Sequence, residues 1–248
     1  MKTDIQLNAE AVKIRDKFGY SNKEPVDIHG IILSQNDYTM IRVPLSENIS
    51  GMCVLNDDSK IIAINTEMSF GRQRFTAAHE IYHIEVEKCV HGRICCKNIS
   101  GQKSESEIEA DKFASYFLMP YDGLEWYIAK KEITEWTAEN VVALSQYYNM
   151  SYLATLVRLM SDGRISKECK EFLEKKDILE IAKDMGVGLE LYNKSPKEQS
   201  YRVYGEYNRR LEHMYKNDII TDGLYKQFCR EAFLDDEIMN MKGDFVYD

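Results

Sequence analysis

The chain has 248 residues, of which 44% are hydrophobic, and this is enough for a conventional folded core in one large domain or two small ones. Its net charge of -9 argues against nucleic acid as the main partner, because phosphate binding draws on clustered Lys and Arg. The sequence has no leader with an apolar centre and no uninterrupted run of about eighteen apolar residues, so we expect a cytoplasmic protein without a membrane partner. The six cysteines lack the spacing of a disulfide framework and are expected to be reduced thiols.

The first quarter of the sequence alternates helical and extended patterns. Residues 7–20 have roughly helical spacing, and Pro25 opens a second short helix that ends near Leu33. Segments rich in β-branched and apolar residues follow at 38–43, 49–55 and 60–65. The NDDS between the last two is a hairpin-turn signal, so the pattern predicts a small three-stranded antiparallel sheet.

Two strong helices come next. From Ser69 the period is helical, and RQRFTAAHEIYHIEVEK can run unbroken because it lacks Gly and Pro. A polar, cysteine-bearing loop at 89–103 leads to SESEIEADKFASYFLM, where Pro120 ends the helix.

The rest of the chain has a helical pattern. Residues 137–163 predict two helices joined near Asn149, and the segment from Tyr204 onward predicts another helical hairpin. We therefore expect an α+β fold whose mostly helical domain holds the small sheet and precedes an all-helical C-terminal region. The expected divisions are a first domain at 1–130, a helix-turn-helix-like hairpin at 131–165, and a helical region of unknown role at 166–248.

One helix holds two histidines one turn apart, His79 and His83, with Glu80 directly after the first. At i and i+4 both imidazoles project from one face, their Cβ atoms roughly 6 Å apart, so two nitrogens can converge on one metal ion, expected to be zinc. Glu80 lies about 100° around the helix, where its carboxylate can be the general base for a water without taking a coordination position. The alternative is an ordinary amphipathic helix that happens to contain two histidines.

A catalytic zinc site needs a third protein ligand, and the next helix offers carboxylates. Glu107 and Asp111 are again at i and i+4. Glu107 can bind the metal, while Asp111 accepts a hydrogen bond from the far nitrogen of a ligating histidine. Glu109 then points elsewhere. Taken alone, this acidic cluster is better explained as a solvated face, but the two histidines favour the ligand interpretation.

Four segments resemble the ImmA/IrrE metallo-endopeptidases in order and spacing. They are PVDI (25–28), ISGMCVL (49–55), IIAINTEMSFGRQRFTAAHEIYHI (61–84) and ESEIEADKFASYFLMP (105–120). The resemblance covers roughly residues 7–160 and implies a zincin-like (thermolysin-like) fold with a gluzincin-like HExxH site. It implies zinc bound by His79, His83 and Glu107, with Glu80 catalytic and Asp111 at a position that holds Asn or Asp.

The same resemblance implies a substrate. It would be a helix-turn-helix, XRE-type transcriptional repressor, and its cleavage would switch on the genes of a mobile element, stress or defence operon. The alternative function is a non-proteolytic, zinc-containing regulator or toxin–antitoxin-like component that binds a repressor. Direct nucleic-acid binding through 137–163 is not expected of this acidic chain, and it would show a steep dependence on salt.

Several residues near the motif have two interpretations. Tyr82 stands where many family members have glycine, so its ring can narrow the cleft or bring a phenol to the site. Tyr82, Tyr116 and Tyr121 are candidate donors to the carbonyl oxygen, although aromatic residues at helical spacing usually pack in a core.

The loop thiols and the lone histidines have two interpretations as well. Cys89, Cys95 and Cys96 can act as a latency device by giving zinc a thiolate ligand, or they can simply line a loop. His29 and His213 are expected to be surface or satisfied polar residues.

Overall fold

The computed structural model describes residues 1–88, the backbone of 93–96, and residues 104–234 apart from the side chain of Glu198. Within these ranges the chain forms eleven α-helices and five strands. The helices are α1 (Asp4–Lys17), α2 (Ile28–Ser34), α3 (Phe70–Ile81), α4 (Glu105–Leu118), α5 (Tyr121–Lys131), α6 (Ala138–Tyr148), α7 (Tyr152–Ser161), α8 (Lys167–Glu174), α9 (Ile178–Asp184), α10 (Glu206–Lys216) and α11 (Asp222–Glu231). The strands are β1 (Tyr38–Val43), β2 (Ile49–Asn56), β3 (Ser59–Asn65), β4 (Arg93–Cys96) and β5 (Arg202–Gly205).

The five strands form one mixed sheet in the order β4-β2-β3-β1-β5. The hairpin of β2 and β3 is confirmed, with Asn56 opposite Ser59. The expectation of three antiparallel strands is wrong, because β1 runs parallel to β3 and two further strands pair antiparallel at the edges. One of them, β4, lies in the segment interpreted as a loop, and the other, β5, lies in the region expected to be all helical. Strands of four residues are too short to show a periodicity.

The main core lies between the sheet and helices that both precede and follow it in the chain. Tyr38 and Met40 of β1 are buried there with Phe113 and Phe117 of α4. The helices α6 to α9 contribute to the same core, while α10 and α11 form a smaller cluster around Val203 of β5. Among the described residues, no helix combines the length and the apolar character that crossing a bilayer requires. The division at residues 130 and 165 stays a prediction.

Two glycines let α3 pack closely on both sides. A Cβ atom at Gly51 of β2 would lie 2.6 Å from Cγ2 of Thr76, so only glycine lets the sheet approach the middle of α3. A Cβ atom at Gly71 would lie 2.8 Å from the backbone nitrogen of Ser151, so only glycine lets the first turn of α3 meet the start of α7. These contacts fix the helix that carries the two histidines between the sheet and α7.

His29 of α2 is expected to make the protein less stable in mild acid. Its ring stacks on Phe70, with 5.8 Å between centroids. Burial lowers the pKa of His29 to about 4, helped by the positive charges of Arg42 and Arg74 and opposed by Asp27. As the pH falls below about 6.5, the unfolded chain takes up a proton that the folded imidazole refuses, so the free energy of unfolding falls.

Between about pH 7.5 and about pH 5 this linkage amounts to roughly 2 kcal/mol. Urea unfolding at the two pH values measures it, with His29→Gln as the comparison protein. The loss of stability should be smaller in His29→Gln by that amount, because the other titrating groups are common to both proteins. Equal losses would show that His29 is readily protonated in the folded state.

Candidate metal centre

The last turn of α3 carries His79 and Glu80, and the helix then widens. Tyr82–Glu87 forms a π-helical turn that contains His83, so the predicted unbroken segment stays helical but is not α-helical after Ile81. Single π-helical turns of this kind are frequent at functional sites. Both histidines and Glu80 are buried, with 5% of His79 and 0% of His83 and Glu80 exposed.

Three side chains from two elements meet at one point. The Nε2 atoms of His79 and His83 are 3.2 Å apart. Glu107 of α4 places Oε2 3.2 Å from Nε2 of His79 and Oε1 3.6 Å from Nε2 of His83. Among the described residues, these three form a group whose ligand atoms all lie within 4.8 Å of one another.

A second layer of carboxylates orients both imidazoles. Asp111 of α4 places Oδ1 2.9 Å from Nδ1 of His79. Glu87 places Oε2 2.6 Å from Nδ1 of His83, and its other oxygen accepts a hydrogen bond from the Ser106 hydroxyl at 2.8 Å. Because each Nδ1–H donates to a carboxylate, each neutral ring directs its Nε2 lone pair at the common point. Glu87 was not among the predicted site residues, although it lies four residues after His83.

The charges at the site favour a cation. Burial lowers the pKa of His79, but hydrogen bonds to Asp111 and Glu107 outweigh burial and raise it to about 9. Burial lowers the pKa of His83, and the neighbouring His79 adds to this effect. A proton between these groups occupies the place that a metal ion would take, and metal binding releases it.

The donor set fits a zinc ion. Ligand atoms about 2.0–2.1 Å from a tetrahedral metal are about 3.3 Å apart. The two Nε2 atoms are 3.2 Å apart, and Glu107 places a different oxygen near each of them, at 3.2 Å and 3.6 Å. These separations are close to the edge length of a coordination tetrahedron, whose fourth position a catalytic site leaves to water or substrate.

Residues 38–160 match the family model described as the IrrE N-terminal-like domain of the M78 peptidases. The chain belongs to the ImmA/IrrE family. M78 peptidases are generally metallopeptidases. A solved Mycobacterium tuberculosis transcriptional regulator aligns with 62% of this chain at 13% identity, with a TM-score of 0.42, and the chain spans 46% of that protein. No curated protein matches the sequence significantly.

Tyr82, which stands where many ImmA/IrrE members have glycine, contacts Glu109 through its hydroxyl group. Its ring is buried against Phe113, with centroids 5.4 Å apart, and its hydroxyl donates to Oε2 of Glu109 at 2.5 Å. The other two candidate donors contact each other, since the hydroxyls of Tyr116 and Tyr121 are 3.0 Å apart. Of the three tyrosines, Tyr116 lines a cleft between α3, α4 and α7, whose lining also includes Asp111.

The thiols expected near the site fall outside the described side chains. Cys89 lies in the undescribed segment 89–92, and for Cys95 and Cys96 only the backbone of β4 is described. That backbone pairs with β2, with Cys95 opposite Gly51. The latency hypothesis therefore stays a prediction.

Glu107→Ala is expected to lower the affinity for Zn²⁺ by about 100-fold or more, because losing even an outer hydrogen-bond partner of a ligand costs up to about that much. Equilibrium dialysis followed by metal analysis measures it. The control is Glu109→Ala on the same helix, since Glu109 faces Tyr82 and the N-terminal backbone at Lys2 and not the histidines. Equal loss of zinc in both variants would mean that Glu107 is not a ligand.

Proposed function

We propose that the chain is a zinc-dependent endopeptidase with a zincin-like site, and that it cleaves a helix-turn-helix, XRE-type transcriptional repressor. The observation that carries the proposal is the convergence of His79, His83 and Glu107 with Glu80 buried beside them. A purely structural metal site has no use for an additional acid/base glutamate next to its first ligand. The repressor as substrate follows from the family and from the regulatory role that the resemblance implies.

Each group around the candidate metal centre has a separate role in the proposed reaction. When bound, zinc supplies Lewis-acid polarisation of the peptide carbonyl and makes a water more acidic. Glu80 takes the proton of the attacking water on its carboxylate and returns it to the amine that leaves. Asp111 and Glu87 hold the imidazoles in the Nδ1–H tautomer, so that the Nε2 atoms remain ligands throughout.

A cleft that reaches Asp111, the hydrogen-bond partner of His79, supports polypeptide as the substrate. It has a volume of about 340 Å³ and lies between α3, α4 and α7, and its lining includes neither Glu80 nor the three residues that could hold zinc. Phe75 lies one turn before His79, and the opposite wall is formed by Leu153 and Val157 of α7, which are 47% and 45% exposed. An apolar side chain of a bound polypeptide would cover this surface while its backbone lies at the metal.

The exposed face of α7 argues for this role and against DNA recognition. A helix in the major groove presents Arg, Lys or polar side chains to bases and phosphates. The α7 helix has one basic residue, Arg158, and this is buried in an ion pair with Asp162. The exposed positions Leu153 and Val157 are apolar and suit a protein surface.

Co-expression with the helix-turn-helix protein encoded beside this chain tests the proposal. Wild type, Glu80→Gln and the control Glu105→Gln are compared by intact mass analysis of the partner. The partner should be cut at one position by wild type and by Glu105→Gln and stay whole with Glu80→Gln. An uncut partner that co-purifies with the zinc-loaded wild-type protein would contradict the proposal and favour the non-proteolytic regulator.

A further inference from the structure

A second cavity lies apart from the metal centre. It has a volume of about 210 Å³ and is bounded by α2, β1, the start of α3 and β5. One wall is aromatic, formed by the parallel rings of His29 and Phe70, and apolar side chains such as Ile32 and Met40 form another. Its lining includes none of the three residues that could hold zinc.

Arg42 of β1 lines this cavity as a buried charge. Only 6% of the residue is exposed. Its Nη2 atom donates to the Ser195 hydroxyl at 2.5 Å and to Oε1 of Gln73 at 3.3 Å, whereas its buried Nε has no hydrogen-bond partner. A guanidinium has five N–H donors, and in proteins its preferred partner is a carboxylate or phosphate that takes two of them. Among the described residues, no carboxylate forms an ion pair with Arg42.

A second buried guanidinium lies in the same neighbourhood. Arg74 is 5% exposed and lines, with Arg42 and His29, a separate pocket of about 10 Å³ that shares these two residues with the cavity. It donates to the carbonyl of Val26, and its buried Nε also has no partner. The charges of both arginines act on His29, as does the opposite charge of Asp27. Two positive charges and one negative charge therefore act on His29 at the wall of this cavity.

An uncompensated buried charge is costly, and the usual resolution is an ion of opposite sign. A cavity of this size holds about seven waters, which is also room for an oxyanion attached to a small apolar or planar group. We propose that the cavity binds a small organic anion, whose phosphate or carboxylate accepts from Arg42 and whose apolar part lies against His29 and Phe70. This site goes beyond the proposed peptidase activity.

The position of the cavity gives the anion a structural consequence. Phe70, Gln73 and Arg74 belong to the first turns of α3, and the last turn of the same helix carries His79 and Glu80. An anion bound to Arg42 and lying against Phe70 would join β1 to the start of that helix. Binding can be measured without reference to peptide cleavage, so failure of one proposal leaves the other open to its own test.

The test follows the Nε–H signals of arginine in the full-length, zinc-loaded protein by ¹H–¹⁵N NMR. Inorganic phosphate and benzoate are added separately. The signals of Arg42 and Arg74 should shift and saturate with a Kd below about 1 mM for at least one probe. Phosphate alone would identify a phosphorylated ligand, and benzoate alone a carboxylate. The absence of saturable shifts with either probe would overturn the proposal.

Variants locate the bound anion. Arg42→Gln should raise the Kd by roughly tenfold or more, because a hydrogen bond to a charged group is lost, whereas Arg164→Gln should not. Arg164 is a matched control, since it loses the same charge from an exposed pair with Glu125. If Arg42→Gln fails to fold, variants of Leu33 test the position of the anion instead. Leu33 lines the cavity, and because it is 50% exposed its substitution is tolerated. Leu33→Glu should weaken binding and Leu33→Gln should not, and equal affinities would overturn the assignment.

Discussion

Glu80→Gln is expected to lower the rate of repressor cleavage by about 1000-fold while the protein keeps its zinc. Glutamine has nearly the same size and shape as glutamate, so the buried position next to His79 remains filled. Its neutral amide cannot accept the proton of the attacking water. Glu80 is also outside the group of three ligand atoms, so the metal site retains all its donors.

Two measurements separate chemistry from binding in this variant. Single-turnover cleavage of the purified repressor gives the rate, and metal analysis gives the zinc bound per chain. Glu105→Gln on α4 is the control, because Glu105 is an exposed carboxylate that pairs with the chain's N-terminus. A variant that retains its zinc and more than about a tenth of the wild-type rate would remove Glu80 from the role of general base.

The candidate metal centre could be predicted from the sequence because much of its geometry is local. Residues at i and i+4 of a helix share a face, and the distance between the Nε2 atoms of His79 and His83 reflects that spacing. The same rule places Glu107 and Asp111 together on α4 and turns Glu109 away, towards Tyr82. What spacing alone does not contain is that α4 packs against α3. The choice of Glu107 relied on the third protein ligand that a catalytic zinc needs, and the family resemblance supported it.

The π-helical turn shows where local rules stop. No pattern in YHIEVE distinguishes a π-helical turn from an α-helical one, because the segment contains no Gly or Pro that would mark a change in the helix. Glu87 nevertheless contacts His83 within this turn. The i and i+4 spacing that relates His79 to His83 also relates His83 to Glu87.

The sheet was predicted incompletely for a different reason. The hairpin of β2 and β3 has a turn signal within the sequence, whereas β1 pairs with strands that are remote along the chain. Register between remote strands depends on what they bury together, and strands of four residues contribute too little pattern to reveal it. β5 joins the sheet from 202–205, more than a hundred residues after β3.

The sequence patterns did not predict that several arginines are buried. Periodicity assigns charged residues to the solvent face, but Arg15, Arg42, Arg74 and Arg158 are all buried. Each donates to backbone or side-chain oxygens that another element leaves inside the protein. The position of those oxygens depends on tertiary structure, so no window of sequence shows which arginine will be buried.

Arg15→Ala is expected to lower the free energy of unfolding by about 4 kcal/mol, the largest effect on stability that we anticipate. Arg15 of α1 is 0% exposed and donates to three backbone carbonyls, those of Phe117 at the end of α4 and of Ser21 and Glu24 in the connection to α2. Burial lowers its pKa to about 10, so the guanidinium stays charged at neutral pH. Alanine would leave one buried and two partly buried carbonyls without this donor and would leave a cavity in place of the buried side chain.

Urea unfolding of the zinc-loaded protein measures this loss, and two variants show its cause. Lys13→Ala removes a charge from the exposed face of the same helix and should change stability by no more than about 0.5 kcal/mol. Arg15→Lys keeps the charge, but one ammonium group cannot reproduce a planar fork that reaches carbonyls in two segments. Its stability should fall between those of wild type and Arg15→Ala. If Arg15→Lys matched wild type in stability, the positive charge alone would account for the effect. The hydrogen bonds that connect α1 to the end of α4 and to the segment before α2 would then not depend on the geometry of the guanidinium.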